Sequence, residues 1–160
     1  RIEDWERPVP GDGEVLLKVT RSGMCGTDAS EWKSGPIIFP LNKPHPVSGH
    51  MGPLILGHEF IGEIVELGTG VTGWALGDRA ASGAGISCGL CPRCLEGRTN
   101  LCQQYVTHGL NRHGGMAEFV AVPISPLVAL PKGLIDASAV LAQPLAVGLH
   151  ASRRAGVQSG

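Results

Sequence analysis

The stretch Cys88-Gly89-Leu90-Cys91-Pro92-Arg93-Cys94-Leu95-Glu96-Gly97-Arg98-Thr99-Asn100-Leu101-Cys102 holds four of the chain's five cysteines. Its C-x2-C-x2-C-x7-C spacing puts three thiolates in one tight loop and returns the fourth after a short excursion. Four thiolates in tetrahedral array suit Zn²⁺, at Zn–S distances of about 2.3 Å, and leave no coordination position open to a substrate. The spacing therefore predicts a structural zinc lobe over residues 85–105. Its small and polar residues (Gly89, Pro92, Arg93, Glu96, Gly97, Arg98) build no apolar core, so the metal supplies the order. An iron–sulfur cluster also takes four thiolates, and a redox dithiol needs only one Cys-x-x-Cys pair. Neither accounts for the whole set as well. The odd cysteine count and the clustering fit a reducing, cytoplasmic setting better than paired disulfides.

Around this lobe the composition favours a turn-rich, mainly β domain: 24 glycines and 12 prolines in 160 residues, with a 42% hydrophobic fraction normal for a globular chain. Strands are expected at Glu14–Thr20, at Glu59–Leu67 with Gly62 at a bulge or close approach, after Gly77-Asp78-Arg79, at Met116–Val122, and at Leu127–Leu130. Cys25–Trp32 lacks strand alternation and reads as a short helical turn carrying Thr27 and Asp28. The segment from Gly35 to Pro53 contains Pro36, Pro40, Pro44, Pro46 and Pro53, which remove backbone donors and restrain their neighbours, so it reads as an irregular loop. From Asp136, read as an N-cap, two helical pieces run to Arg154, with Pro144 in the first turn of the second.

A formal charge of −1 with scattered basic residues gives no footprint for nucleic acid or an anionic membrane surface. No run of about 18 apolar residues is present to span a bilayer. The start is neither an initiator methionine nor an export signal. The end, after Arg153-Arg154 and Gly156, reads as a cut.

The fifth cysteine, Cys25, lies in Gly23-Met24-Cys25-Gly26-Thr27-Asp28, and His58 lies in Leu56-Gly57-His58-Glu59. Either alone is unremarkable, since a lone cysteine is usually a small buried hydrophobe and a lone histidine a satisfied polar residue. Together, Gly57-His58-Glu59 followed by Gly62, the run Cys25-Gly26-Thr27-Asp28 and the four-cysteine lobe resemble the medium-chain zinc alcohol dehydrogenases, whose catalytic domain is GroES-like. The likeness extends to Gly77-Asp78-Arg79, Gly114-Gly115-Met116-Ala117-Glu118 and Gln143-Pro144-Leu145-Ala146-Val147. The loop Pro44-His45-Pro46-Val47-Ser48-Gly49 looks most like the butanediol and polyol dehydrogenase branch.

That resemblance implies a GroES-like, partly open β-barrel over 1–150, with 151–160 starting a linker to a nucleotide-binding domain that this chain lacks. It implies a catalytic zinc held by Cys25 and His58, with Glu59 as alternate ligand or neighbouring base, and a second, structural zinc on Cys88, Cys91, Cys94 and Cys102. The third ligand position falls on Gln143, where relatives carry glutamate or cysteine. Thr27 is placed to take the proton of an alcohol hydroxyl acidified at the open coordination position, before hydride leaves for NAD or NADP. Relatives continue that relay with a histidine where this chain has Ser30; His45 or His50 could replace it, though a solvated surface histidine is the plainer reading of each. Asp28 either orients the site or caps the helix. Gly83-Ala84-Gly85 is a loop, and no Gly-x-Gly-x-x-Gly unit follows a strand.

The expected activity is oxidation of a secondary alcohol or vicinal diol by a homo-oligomer, dimer or tetramer, when full length. The fragment alone is expected to be inactive. Rival readings are a catalytically dead zinc-binding scaffold and a zinc-binding interaction module.

Overall fold

Val15, Leu16 and Leu17 are wholly buried and anchor β1 (Glu14–Ser22) at the heart of a sheet. A computed structural model describes residues 2–158. After β1 the chain forms α1 (Gly26–Ser34), then, beyond the proline-rich loop, β2 (Phe60–Leu67) and β3 (Arg79–Ser82). β4 (Gly85–Ile86), α2 (Pro92–Leu95), a 3-10 turn at Thr99–Leu101 and β5 (Val106–Thr107) make the cysteine lobe and its base. β6 (Phe119–Pro123), β7 (Leu127–Ala129), α3 (Asp136–Ala139) and α4 (Ala142–Arg154) complete the described elements.

Five strands form one open antiparallel sheet in the order β6-β1-β2-β3-β7, and β4 pairs β5 in a separate ribbon. This is the mainly β, partly open architecture expected, with short helices outside it. Residues alternating along the strands meet on one face: Val15 and Leu17 of β1, Phe60 and Ile64 of β2, Ala80 of β3, Val120 and Val122 of β6, and Leu127 of β7. Burying an aromatic such as Phe60 contributes on the order of 2 kcal/mol. On the opposite face Ile61 and Ala81 pack under Ala139 of α3. Gly62 is a close approach: a side chain there would reach within 2.5 Å of the Lys18 carbonyl oxygen.

Three local expectations change. β6 begins at Phe119 rather than Met116, because the N–H groups of Gly114, Gly115 and Met116 donate to the carbonyls of Ile55, Gly57 and Leu56 instead of entering a ladder. Gly85 is not in a loop but opens β4, pairing with Thr107. Asp136 is not the cap of α3 but its first residue, Ile135 holding the N-cap place; the Asp136 carboxylate instead accepts from Arg79, whose guanidinium also reaches the Leu134 carbonyl at 2.7 Å. Hydrogen bonding from Thr20, and then the Arg79 guanidinium, hold the Asp136 carboxyl below the usual range. No helix among the described residues is long and apolar enough to cross a membrane.

Candidate functional site

Two clusters of metal-ligating side chains form, and the described residues contain no third. In the first, the sulfurs of Cys88, Cys91, Cys94 and Cys102 all lie within 4.8 Å of one another. Pro92 opens α2 just after Cys91, where a missing N–H costs nothing, and the turn carries Cys94 back toward Cys91 at 3.6 Å. Backbone N–H groups aim at the sulfurs: Cys91 N at Cys88 Sγ, and Cys88 N and Gln104 N at Cys102 Sγ, each at 3.3 Å. Such donors favour thiolate. Backbone donors at Leu90 and then Cys91 lower the Cys88 thiol, and those at Gln103 and then Cys94 bring Cys91 down to about 6. Burial, then the neighbouring Cys91 sulfur, push the Cys94 thiol the other way, up to about 11: four thiolates this close are unfavourable without a cation, and the donor set fits a divalent, sulfur-preferring ion.

The second cluster joins Cys25, His58 and Glu59, whose ligand atoms also lie within 4.8 Å of one another. Cys25 immediately precedes α1, and Asp28 Oδ2 accepts the Cys25 N–H at 2.9 Å, fixing the turn from which the sulfur projects. The other oxygen, Asp28 Oδ1, lies 3.9 Å from His58 Nδ1. Both atoms are buried and neither has a hydrogen-bond partner. Asp28 thus both caps α1 and faces the histidine. An imidazole that gives one ring nitrogen to a metal commonly turns its other N–H toward a carboxylate, and Asp28 Oδ1 stands on that side of His58.

Glu59 is half-buried beside Gly23, whose amide donates to the Glu59 carbonyl at 2.6 Å; a side chain at position 23 would meet Glu59 Oε2. Gly57 has φ +94°, and a Cβ there would stand 2.8 Å from Met116 N, so the backbone before His58 takes a path closed to other residues. Thr27 Oγ1 lies 3.6 Å from Cys25 Sγ, within reach of a sulfur hydrogen bond.

The other expected participants lie on α4, on α1 and in the proline-rich loop. Gln143 is half-buried near the start of α4, and no hydrogen bond joins it to the trio among the described residues. Ser30 donates its hydroxyl to the Gly26 carbonyl at 2.9 Å. The His45 ring takes the Ser48 N–H at 3.1 Å, and His50 Nε2 faces the Pro53 carbonyl at 3.2 Å. Sequence reasoning missed Glu31, buried in α1, whose carboxylate receives the N–H groups of Ile37 and Ile38 and so folds the proline-rich loop back. A carboxylate on a short helix with no basic residue three or four positions away is the one signal that marked it.

Residues 11–132 match the alcohol dehydrogenase GroES-like domain family, and the chain belongs to it, within the zinc-dependent medium-chain dehydrogenases. It is 36% identical to L-galactonate-5-dehydrogenase of Escherichia coli over 156 residues, 97% of this chain and 42% of that protein. An L-threonine 3-dehydrogenase of Paraburkholderia phytofirmans is 36% identical over 149 residues, covering 93% and 41%. Among solved structures, 2R,3R-butanediol dehydrogenase from Bacillus subtilis superposes with a TM-score of 0.87 at 39% identity, over 96% of this chain and 43% of that one. The chain thus spans about two fifths of the length of the curated relatives it matches.

Proposed function

We propose that this chain is the zinc-binding catalytic portion of an alcohol or polyol dehydrogenase that oxidises a secondary alcohol or vicinal diol with NAD or NADP. The observation that carries the reading is the meeting of Cys25 with the adjacent His58 and Glu59, two segments far apart in the sequence, with their ligand atoms inside 4.8 Å. The orphaned His58 Nδ1 and Asp28 Oδ1 fit a metal on that trio. Cys25 and His58 would hold it, Glu59 serving as alternate ligand or neighbouring base, and Gln143 as an uncharged third. When bound, zinc supplies Lewis acidity that makes an alcohol hydroxyl easy to deprotonate near neutral pH.

The chain's own side chains do the rest. Thr27 Oγ1 receives the hydroxyl proton and passes it toward solvent, Asp28 sets the His58 ring, and the Glu31-folded loop from Gly35 to Pro53 shapes the entrance on one side. The second zinc belongs to Cys88, Cys91, Cys94 and Cys102 and orders their lobe. The GroES-like unit is read as 1–150 and 151–160 as linker; α4 crosses position 150 without a break, and residues 1 and 159–160 lie outside the described residues. A cytoplasmic homo-oligomer is the corresponding assembly of the longer protein.

Elemental analysis tests the metal reading: two zincs per chain are expected, falling to one in Cys25→Ser. The chain alone should give no turnover with NAD or NADP. A chimera joined to the remainder of the Bacillus subtilis butanediol dehydrogenase should reduce nicotinamide with a diol and lose this with Cys25→Ser. One zinc in the unaltered chain would contradict the reading. A catalytically silent scaffold is the second reading, favoured by the engaged Ser30 hydroxyl; a chimera that binds both zincs yet stays inactive would select it.

A further inference from the structure

His108 is fully buried, on a loop 50 positions after His58, and plays no part in either metal cluster. Its Nδ1 lies 3.1 Å from the His113 carbonyl oxygen. A carbonyl only accepts, so this nitrogen carries the proton and the ring is a fixed-tautomer donor. His113 in turn accepts the Ile55 N–H on its own Nδ1, at 3.1 Å. Three backbone bonds run beside it: Gly114 N to Ile55 O at 2.8 Å, Met116 N to Leu56 O at 2.8 Å, and Gly115 N to Gly57 O at 2.9 Å. Four hydrogen bonds therefore seize residues 55–57, and the next residue is His58.

The fit allows no slack. A Cβ on Gly114 would stand 2.1 Å from the Gly57 oxygen, and one on Gly109 2.6 Å from the Gly57 carbonyl carbon. The His113 ring is also gripped by Trp5, with centroids 5.2 Å apart, and by the edge of His50 at 4.9 Å. His50 belongs to the proline-rich loop, so the loop at the proposed substrate entrance leans on the same clamp.

We propose that His108 and His113 are positioning residues for the His58 metal ligand. The His108 Nδ1–H to His113 carbonyl bond and the Ile55 N–H to His113 Nδ1 bond together fix the backbone from which His58 projects. This rests on the reading that Cys25 and His58 hold a metal. Neither histidine touches the metal or the reacting atoms; each acts through residues 55–57.

Cobalt titration of the purified chain tests it, the four-cysteine site acting as internal control, since its spectrum differs from that of the mixed sulfur–nitrogen site. His113→Leu removes the acceptor for Ile55 N–H, whereas His113→Asn returns an oxygen near the lost nitrogen. His108→Leu and His108→Asn do the same for the donor. Because groups that orient a ligand typically set metal affinity by 10–100-fold, each Leu variant should weaken cobalt at the Cys25/His58 site about tenfold. The four-cysteine site should be unchanged, and each Asn variant should recover most of the loss. If His108→Leu fails to fold, the half-buried His113 pair decides alone. Wild-type affinity in His113→Leu, equal weakening of both sites, or an Asn variant no better than Leu would overturn the clamp. An unaltered chain that takes up one cobalt removes the underlying site reading instead, before any variant is compared.

Discussion

At the scale of single residues, Asp28 shows how one carboxylate serves two partners. One oxygen accepts the Cys25 N–H and the other faces His58 Nδ1. If the proposed metal sits at Cys25 and His58, Asp28→Ala should lower zinc affinity there by roughly 10–100-fold, and Asp28→Asn by less, because the amide oxygen keeps the bond to Cys25; chelator competition measures both. His108 makes a pH prediction. Burial, then the nearby Arg112 guanidinium, bring its pKa down to about 4, against smaller upward pulls from the His113 carbonyl and Glu14. The unfolded chain binds the proton at about 6.5 and the folded chain near 4, so stability is lost as pH falls through that window. The loss amounts to about 3 kcal/mol at its acid end. Denaturation midpoints measured from pH 7 to 4 should fall less steeply in His108→Phe, and parallel curves would contradict this. Sequence spacing exposed the capping half of Asp28, three residues beyond Cys25. Its approach to His58 depends on how β1 and β2 pair, which local spacing does not encode.

At the scale of elements, the strands read from the sequence were recovered within a few residues because Val15, Leu17, Phe60, Ile64, Val120 and Val122 alternate toward one buried face. What escaped was use of the backbone by something other than a ladder. Gly114 to Met116 looks like strand, yet its N–H groups belong to residues 55–57, and the helix start at Asp136 lost its cap role to an ion pair with Arg79. Gly57→Ala should therefore cost more than an ordinary surface change. It adds a Cβ at φ +94° against Met116 N, and a destabilisation of about 2 kcal/mol or more is expected. Gly148→Ala, in α4 with open space around it, should be neutral or stabilising by up to about 1 kcal/mol. Thermal midpoints of the two variants compare them directly, and similar shifts would argue against the close approach.

For the whole molecule, stability is divided between an apolar sheet and a lobe with almost no apolar interior. The lobe's α2 and 3-10 turn contain no buried residue, while the sheet is held by side chains from five strands. Removing zinc should loosen the lobe and spare the sheet. Trypsin would then cut first at the exposed Arg93 and Arg98 after chelation, with far-ultraviolet circular dichroism nearly unchanged; simultaneous loss of both would show one cooperative unit. The four-cysteine lobe was legible from spacing and the turn-rich, mainly β class from composition, whereas the GroES-like assignment followed from the resemblance to the zinc alcohol dehydrogenases. The route of the Gly35 to Pro53 loop was not, because it is set by a buried Glu31 carboxylate and by ring contacts between His50 and His113.

The Tyr105 hydroxyl occupies the space where a Cβ of Gly85 would stand, 1.5 Å away, and the chain contains no other tyrosine. That one phenol closes the base of the lobe against β4, so any side chain at position 85 would have to push it out of its seat.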